Sequence, residues 1–291
     1  MSIPFLRQDP LVPGTVEETA PGVRRILCNN PSAFTFRGTN TWIIGRGRVA
    51  VLDPGPEDAM HLAAIRDALR GEEITHILVS HTHRDHSPGA RALQAATGAP
   101  TYGFGPHVTP PDQGGEGGDH EFHPDMQLAD GAAVEGEDWR LVALHTPGHC
   151  ANHLCFAMDG NGALFSADMV MSWSTSVVSP PDGDMADYMR SLARLQAREG
   201  DALYLPGHGP PLREPGPFLA ALAAHRQERE QKTLEALRAA GQASAEDLVP
   251  PVYGPLDPRL VRAAGRSLLA HLIKLETEGA VVHDGEAWRM A

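Results

Sequence analysis

Cysteine is scarce, with three residues (Cys28, Cys150 and Cys155) in a chain of 291. An odd, widely spaced set excludes a disulfide framework as the source of stability. No run of eighteen apolar residues occurs, so no segment reads as a membrane span. The opening residues Met1 to Arg7 lack a charged stretch followed by an apolar one, so a secretory signal is not expected and the chain reads as cytoplasmic. Basic residues are outnumbered, 24 Lys and Arg against 37 Asp and Glu, a formal net charge of −13. That balance argues against a general affinity for nucleic acid, which needs a basic surface to neutralise phosphates. Hydrophobic residues at 42% and charged residues at 21% are ordinary for a globular protein and exclude disordered and fibrous classes.

The acidity is unevenly placed. Residues 1–216 carry a net charge of −12 and residues 217–291 a net of −1. The front part also holds most of the 15 histidines, a first sign of metal. In that part strands are expected at Trp42 to Gly45 and Val49 to Leu52, around a Gly-Arg-Gly turn, and at Ile74 to Ser80. Others are expected at Trp139 to Leu144, Cys155 to Met158, Ala163 to Ser166 and Ala202 to Leu205. Helical spacing marks Glu57 to Leu69, Gly89 to Thr97 and Met185 to Glu199. Strands alternating with helices predict an α/β domain over residues 1–216. Gly103 to Asp130, rich in Gly and Pro, reads as a surface excursion without regular elements, its His107, His120 and His123 solvated. Residues 217–291 change texture. A long helix over Phe218 to Ala240, a capped helix start at Ser244, a helix over Pro258 to Glu278 and a hairpin with an Asp-Gly turn over Val281 to Arg289 give the order of a winged-helix module. Its near-neutral charge makes sequence-specific DNA binding unexpected; such a tail packs on the front domain or builds a homodimer. The charges of His225 to Glu230 read as an exposed helix face with close ion pairs.

The strongest chemical signal is His81-Thr82-His83-Arg84-Asp85-His86, directly after a buried strand. Three imidazoles and a carboxylate within six residues form a cation site, because neutral imidazole nitrogen and carboxylate oxygen suit zinc. On a loop leaving a strand, such spacing can serve two ions. Further donors stand at strand ends beside backbone breakers: His149 after Thr146-Pro147-Gly148, Asp168 after Phe165-Ser166-Ala167, and His208 after Pro206-Gly207. Ligands gather outside strand ends in sheets of this type. Asp53 ends a buried strand and either bonds a ligand from behind or caps the turn. His153 either faces substrate or supports the site, His76 and His145 read as core or supporting residues, and Cys150 reads as a small buried residue. Met171 to Ser176, with Trp173, follows Asp168 and either shapes a substrate pocket or packs.

This set resembles the metallo-β-lactamase superfamily. More closely, Gly38-Thr39-Asn40-Thr41, the His81 cluster, Tyr188 to Leu192, Pro206 to Pro210 and His225-Arg226 resemble the β-lactamase-like endoribonucleases with a C-terminal winged-helix domain. The resemblance implies a four-layered αββα sandwich and a two-zinc centre. It places one zinc on His81, His83 and His149 and the other on Asp85, His86 and His208, with Asp168 bridging. It also implies Thr39 and Asn40 at the mouth of the site, Trp173 beside substrate, and Asp85 as a proton relay. Two metals about 3.5–4 Å apart sharing a hydroxide would make the chain a hydrolase of an ester, thioester, lactone or lactam-like small molecule. Cleavage of single-stranded RNA is the alternative the nearest resemblance implies, but the −12 charge opposes it, and Ala151-Asn152 stands where those relatives carry two aspartates. An iron-dependent persulfide dioxygenase-like oxidoreductase is a further alternative; His83 stands where oxygen-reducing diiron relatives carry glutamate, which favours zinc, and persulfide dioxygenases lack the winged-helix tail.

Overall fold

The structure, a computed structural model, describes residues 3–110 and 117–291. Two sheets stack face to face. The first runs in chain order: β1 (Val16–Ala20), β2 (Val23–Leu27), β3 (Asn40–Ile44), β4 (Arg48–Leu52), β5 (Glu73–Leu78), β6 (Thr101–Gly103) and β7 (Met126–Gln127). It is antiparallel to β4 and parallel from β4 to β7. The second is ordered β13 (Leu212–Arg213), β12 (Leu203–Pro206), β11 (Ala163–Ala167), β10 (Leu154–Met158), β9 (Arg140–His145) and β8 (Ala133–Glu135), with only β11 and β12 parallel.

Alternation along the strands makes the layers. Trp42 and Ile44 face the inter-sheet core with Leu52, Leu78, Leu154, Phe156, Phe165 and Leu205, while Ile43 faces outward. The outer face of the first sheet buries Ile43, Val49 and Val51 against Ile65 of α1 (Ala59–Ala68) and Leu93 of α2 (Gly89–Thr97). The outer face of the second buries Cys155, Leu164 and Tyr204 against Tyr188 and Leu192 of α3 (Met185–Gln196) and Phe218 and Leu222 of α4 (Pro215–Ala240). The result is the expected αββα sandwich.

Helix α4 runs unbroken from the second sheet into the C-terminal unit, where its Leu237 joins a separate core with Leu268, Leu272 and Trp288. That unit contains β14 (Gln242–Ala243), α5 (Val249–Tyr253), α6 (Pro258–Thr277), β15 (Val281–His283) and β16 (Trp288–Met290) in a three-stranded sheet ordered β14, β16, β15. The expected hairpin is present, its Asp284 accepting from the Glu286 and Ala287 amides. The helix expected to start at Ser244 does not. Ser244 and Asp247 close a turn on each other, and helix begins at Val249. Pro250 and Pro251 lack an N–H and fit only a first helical turn, which sets that start and keeps α5 short.

Two other expectations are corrected. His225 to Glu230 is an inner face: Arg226 is buried over the Tyr188 ring, Arg229 donates to the Val252 carbonyl, and Glu230 pairs with His271 and Lys274 of α6. Only Glu228 and Lys232 form the exposed pair that spacing suggests. The described parts of the excursion, residues 103–110 and 117–130, are more ordered than their composition implies; residues 111–116 lie outside the described residues. Gly103 and Met126–Gln127 are strand residues, and Phe122 and Asp119 are buried. Among the described residues no helix is long and apolar enough to cross a membrane.

Candidate metal centre

The histidine-bearing loops leave the sheets at one shared edge. His81 follows β5, His149 follows β9, Asp168 follows β11 and His208 follows β12; antiparallel β10 begins at that edge with His153 before it. The backbone is strained where donors must turn inward: Asp53 after β4 has φ 51° and Ala167 before Asp168 has φ 41°. Gly207 has no room for a side chain, because a Cβ there would lie 2.4 Å from Asp168 Oδ1 and 2.7 Å from His86.

All seven expected donors converge. His83 Nδ1 lies 3.0 Å from both His81 Nε2 and His149 Nε2. Beyond them, His208 Nε2 lies 3.3 Å from His86 Nε2, 3.2 Å from Asp85 Oδ2 and 3.5 Å from Asp168 Oδ2. Asp168 joins the two sets, its Oδ1 3.6 Å from His86 Nε2 and its Oδ2 3.6 Å from His149 Nε2. The groups His81–His83–His149, His81–His86–Asp168 and Asp85–His86–His208 each bring their ligand atoms within 4.8 Å of one another.

The opposite side of each ring is occupied. His149 Nδ1 donates to the Val177 carbonyl at 2.6 Å and His208 Nδ1 to the Gly38 carbonyl at 3.2 Å. His86 Nδ1 donates to Asp53 Oδ2 at 3.0 Å. The Ser80 hydroxyl donates to the same Asp53 oxygen at 2.6 Å, so at 3.0 Å from His81 Nδ1 it can only accept. Each of these rings therefore has its Nδ1 engaged from outside and turns its Nε2 inward, the arrangement a ligating histidine needs. Asp53 is thus bonded to one ligand directly and to another through Ser80, the supporting role weighed for it above. His153 Nε2 accepts from the Asp168 amide at 3.2 Å and its Nδ1 donates to Thr146, so it supports Asp168 from behind.

Burial and charge differ across the centre. Burial holds His81 well below its usual range and His83 at about 3, each helped by neighbouring imidazoles. Burial acts in the same direction on His86 and His208, but the carboxylates of Asp85 and Asp168 outweigh it and raise both. Burial likewise works to raise Asp85 and Asp168, and the facing imidazoles overcome it and hold both carboxyls low.

These residues fit a divalent pair. His83 Nδ1 meets the Nε2 atoms of His81 and His149 at 3.0 Å, near the spacing of about 3.3 Å that tetrahedral zinc–nitrogen bonds of about 2.0–2.1 Å set between neighbouring nitrogens. Asp168 Oδ1 is buried without a hydrogen-bond partner among the described residues, a costly state that a cation relieves.

The residues expected near substrate are placed differently from one another. Thr39 and Asn40 are fully buried. Thr39 bridges to His208, and Asn40 donates to the Pro206 and Gly209 carbonyls, so both hold the His208 turn from beneath. Trp173 stacks on Phe36 at 4.9 Å and covers Gly209, where a Cβ would meet it at 2.7 Å. Cys150 is buried, its thiol donating to Asn152 and pushed well above its usual range by burial and by Asp182. His107, expected in solvent, is buried and bonded to Thr82 at 2.9 Å. His123 is exposed as expected, His120 is half-buried, and of the half-buried His76 and His145 the first lies tilted against Tyr102 and the second stacks on Phe104. Asp182 has no motif in the sequence, yet its carboxylate lies within 4.8 Å of His83 and Cys150 ligand atoms. Pro180-Pro181-Asp182-Gly183 reads only as turn chemistry.

Residues 34–208 match the Metallo-beta-lactamase superfamily and residues 244–288 the Beta-lactamase associated winged helix domain. The chain is 34% identical over 283 residues to the Beta-lactamase-like protein 2 homolog of Drosophila melanogaster, covering 92% of each. It is 32% identical over 250 residues to an atrochrysone carboxyl ACP thioesterase of Passalora fulva, covering 82% of this chain and 70% of that one. In structure it is similar to a beta-lactamase domain protein from Burkholderia ambifaria, with TM-score 0.80, 24% identity and coverage of 97% and 96%.

Proposed function

The chain belongs to the metallo-beta-lactamase superfamily, and from that premise we propose that it is a two-zinc hydrolase of acyl compounds, with thioesters its favoured class. The observation that carries this reading is the position of Asp168, whose two oxygens reach into both sets of imidazoles. His81, His83 and His149 would hold one ion, Asp85, His86 and His208 the other, and Asp168 would be shared. A divalent pair held there supplies Lewis acidity for a carbonyl and a water acidic enough to ionise near neutral pH.

The chain's own groups do the rest. Asp53, Ser80, Val177 and Gly38 fix the ring orientations, so little reorganisation accompanies reaction. Asp85 has a side chain 30% exposed and a carboxyl held low by His86 and His208, so it enters ionised and would serve as the proton relay. Trp173, with Phe36, forms an apolar wall beside His208 against which an acyl group can lie. Thioesters lead the substrate classes because a relative 32% identical to this chain is named a thioesterase. Residues 1–216 form the catalytic part and residues 217–291 the helical linker and winged helix in this reading.

The test is a parallel assay of the zinc-loaded chain against an acyl thioester, a p-nitrophenyl ester, a lactone, a chromogenic β-lactam and a labelled single-stranded RNA. Thioester hydrolysis that falls on chelation is the expected result. Turnover of the RNA alone would overturn the substrate reading.

A further inference from the structure

Segment Ser176–Asp182 lies between the metal centre and the C-terminal helices. On its inner side the Val177 carbonyl accepts from His149 Nδ1 at 2.6 Å, and the Asp182 carboxylate stands within 4.8 Å of a ligand atom of His83. Two of the three imidazoles of one metal position thus face this segment. On its outer side Arg226 of α4 donates to the Ser176 carbonyl. Ser267 of α6 accepts from the Val178 amide at 3.4 Å, and Arg266 of α6 donates to the Ser179 hydroxyl at 3.0 Å. Arg226, Val178 and Ser267 are buried, and Ala270 of α6 joins the core beneath α3 and α4. The other metal position has different supports, Asp53 behind His86 and the Gly38 carbonyl behind His208, both on the first-sheet side.

We infer that the C-terminal helices are positioning elements for one metal site only: through Arg226 and Ser267 they brace segment Ser176–Asp182 and so set the affinity of the His81–His83–His149 position. The inference rests on the two-metal reading above. A histidine ligand whose outer hydrogen-bond partner is disturbed typically costs 10–100-fold in metal affinity, without any change in the ligands themselves. The appended unit then acts on the centre without touching substrate, which accounts for a buried arginine spent on a loop carbonyl.

Zinc affinity of the full chain, by competition with a chromogenic chelator, tests it in two backgrounds that each cripple one position. In His208→Ala, which leaves the three-imidazole position, adding Arg226→Met and Ser267→Ala is expected to weaken zinc about 10–100-fold. In His149→Ala the same pair is expected to change nothing. Arg226→Lys, which keeps a donor for the Ser176 carbonyl, is expected to restore most of the loss. If the double substitution does not fold, Ser267→Ala alone carries the same test with a smaller split. Equal losses in both backgrounds, or no loss in either, would overturn this inference and leave the two-metal reading standing. A wild-type chain that takes up no divalent ion would overturn both.

Discussion

The two halves of the centre are built from the same residue type and behave oppositely. His81, His83 and His149 face one another with a carboxylate only at their edge, and burial keeps His81 and His83 free of protons. His86 and His208 face Asp85 and Asp168, which hold protons on both rings in the absence of a cation. In one half burial disfavours the proton at His81 and His83 before a metal arrives; in the other a metal must compete with a proton that the carboxylates favour on His86 and His208. A cation position is therefore defined as much by the charge of its neighbours as by the count of its ligands.

The largest effect that would sharpen this contrast is loss of the group common to both halves. Asp168→Ala should weaken zinc at both positions and lower kcat/KM by more than the factor of about 100 that loss of an outer partner costs. Activity within a few-fold of wild type would separate the halves functionally. Next is Asp53→Ala, which removes the acceptor behind His86 and, through Ser80, behind His81. It should reduce affinity about 10–100-fold with the fold retained, as read by chelator competition and circular dichroism. Proton competition separates the halves without mutation. Because the pKa values of His86 and His208 are raised, zinc there must displace protons up to a higher pH. Lowering pH from about 8 to about 6 should release zinc first from that half and later from the half with His81 and His83, whose rings burial holds low. Simultaneous loss of both ions would break the comparison. The smallest effect belongs to Cys150→Ser. The Cys150 thiol is buried and donates to Asn152, outside the two proposed sets of ligands, so zinc content should stay unchanged with a stability loss of about 1 kcal/mol.

The candidate centre was legible because the first donor of each stretch, His81, His149, Asp168 and His208, sits one to four residues past an apolar strand with a Gly, Pro or Ser within two residues of it, a pattern that survives in one dimension. The sandwich was legible for the same reason, since Trp42, Ile43 and Ile44 alternate between two cores. What escaped depends on a partner distant in sequence. Arg226 looks like one more charge on a helix until Ser176, fifty residues away, receives it. His107 sits in a Gly-rich stretch and is buried only because Thr82 meets it. Asp182 carries no spacing signal at all, and Thr39 and Asn40, expected at a mouth, are buried, the Thr39 hydroxyl accepting from Asn30 and the Asn40 amide donating to the turn that carries His208.

Anomalous diffraction at the zinc edge from crystals of the zinc-loaded chain tests the central claim most directly. Two peaks flanking the Asp168 carboxylate, one against His81, His83 and His149 and the other against Asp85, His86 and His208, are the expected result. A single peak that leaves either set of imidazoles without an ion, or peaks away from Asp168, would contradict it.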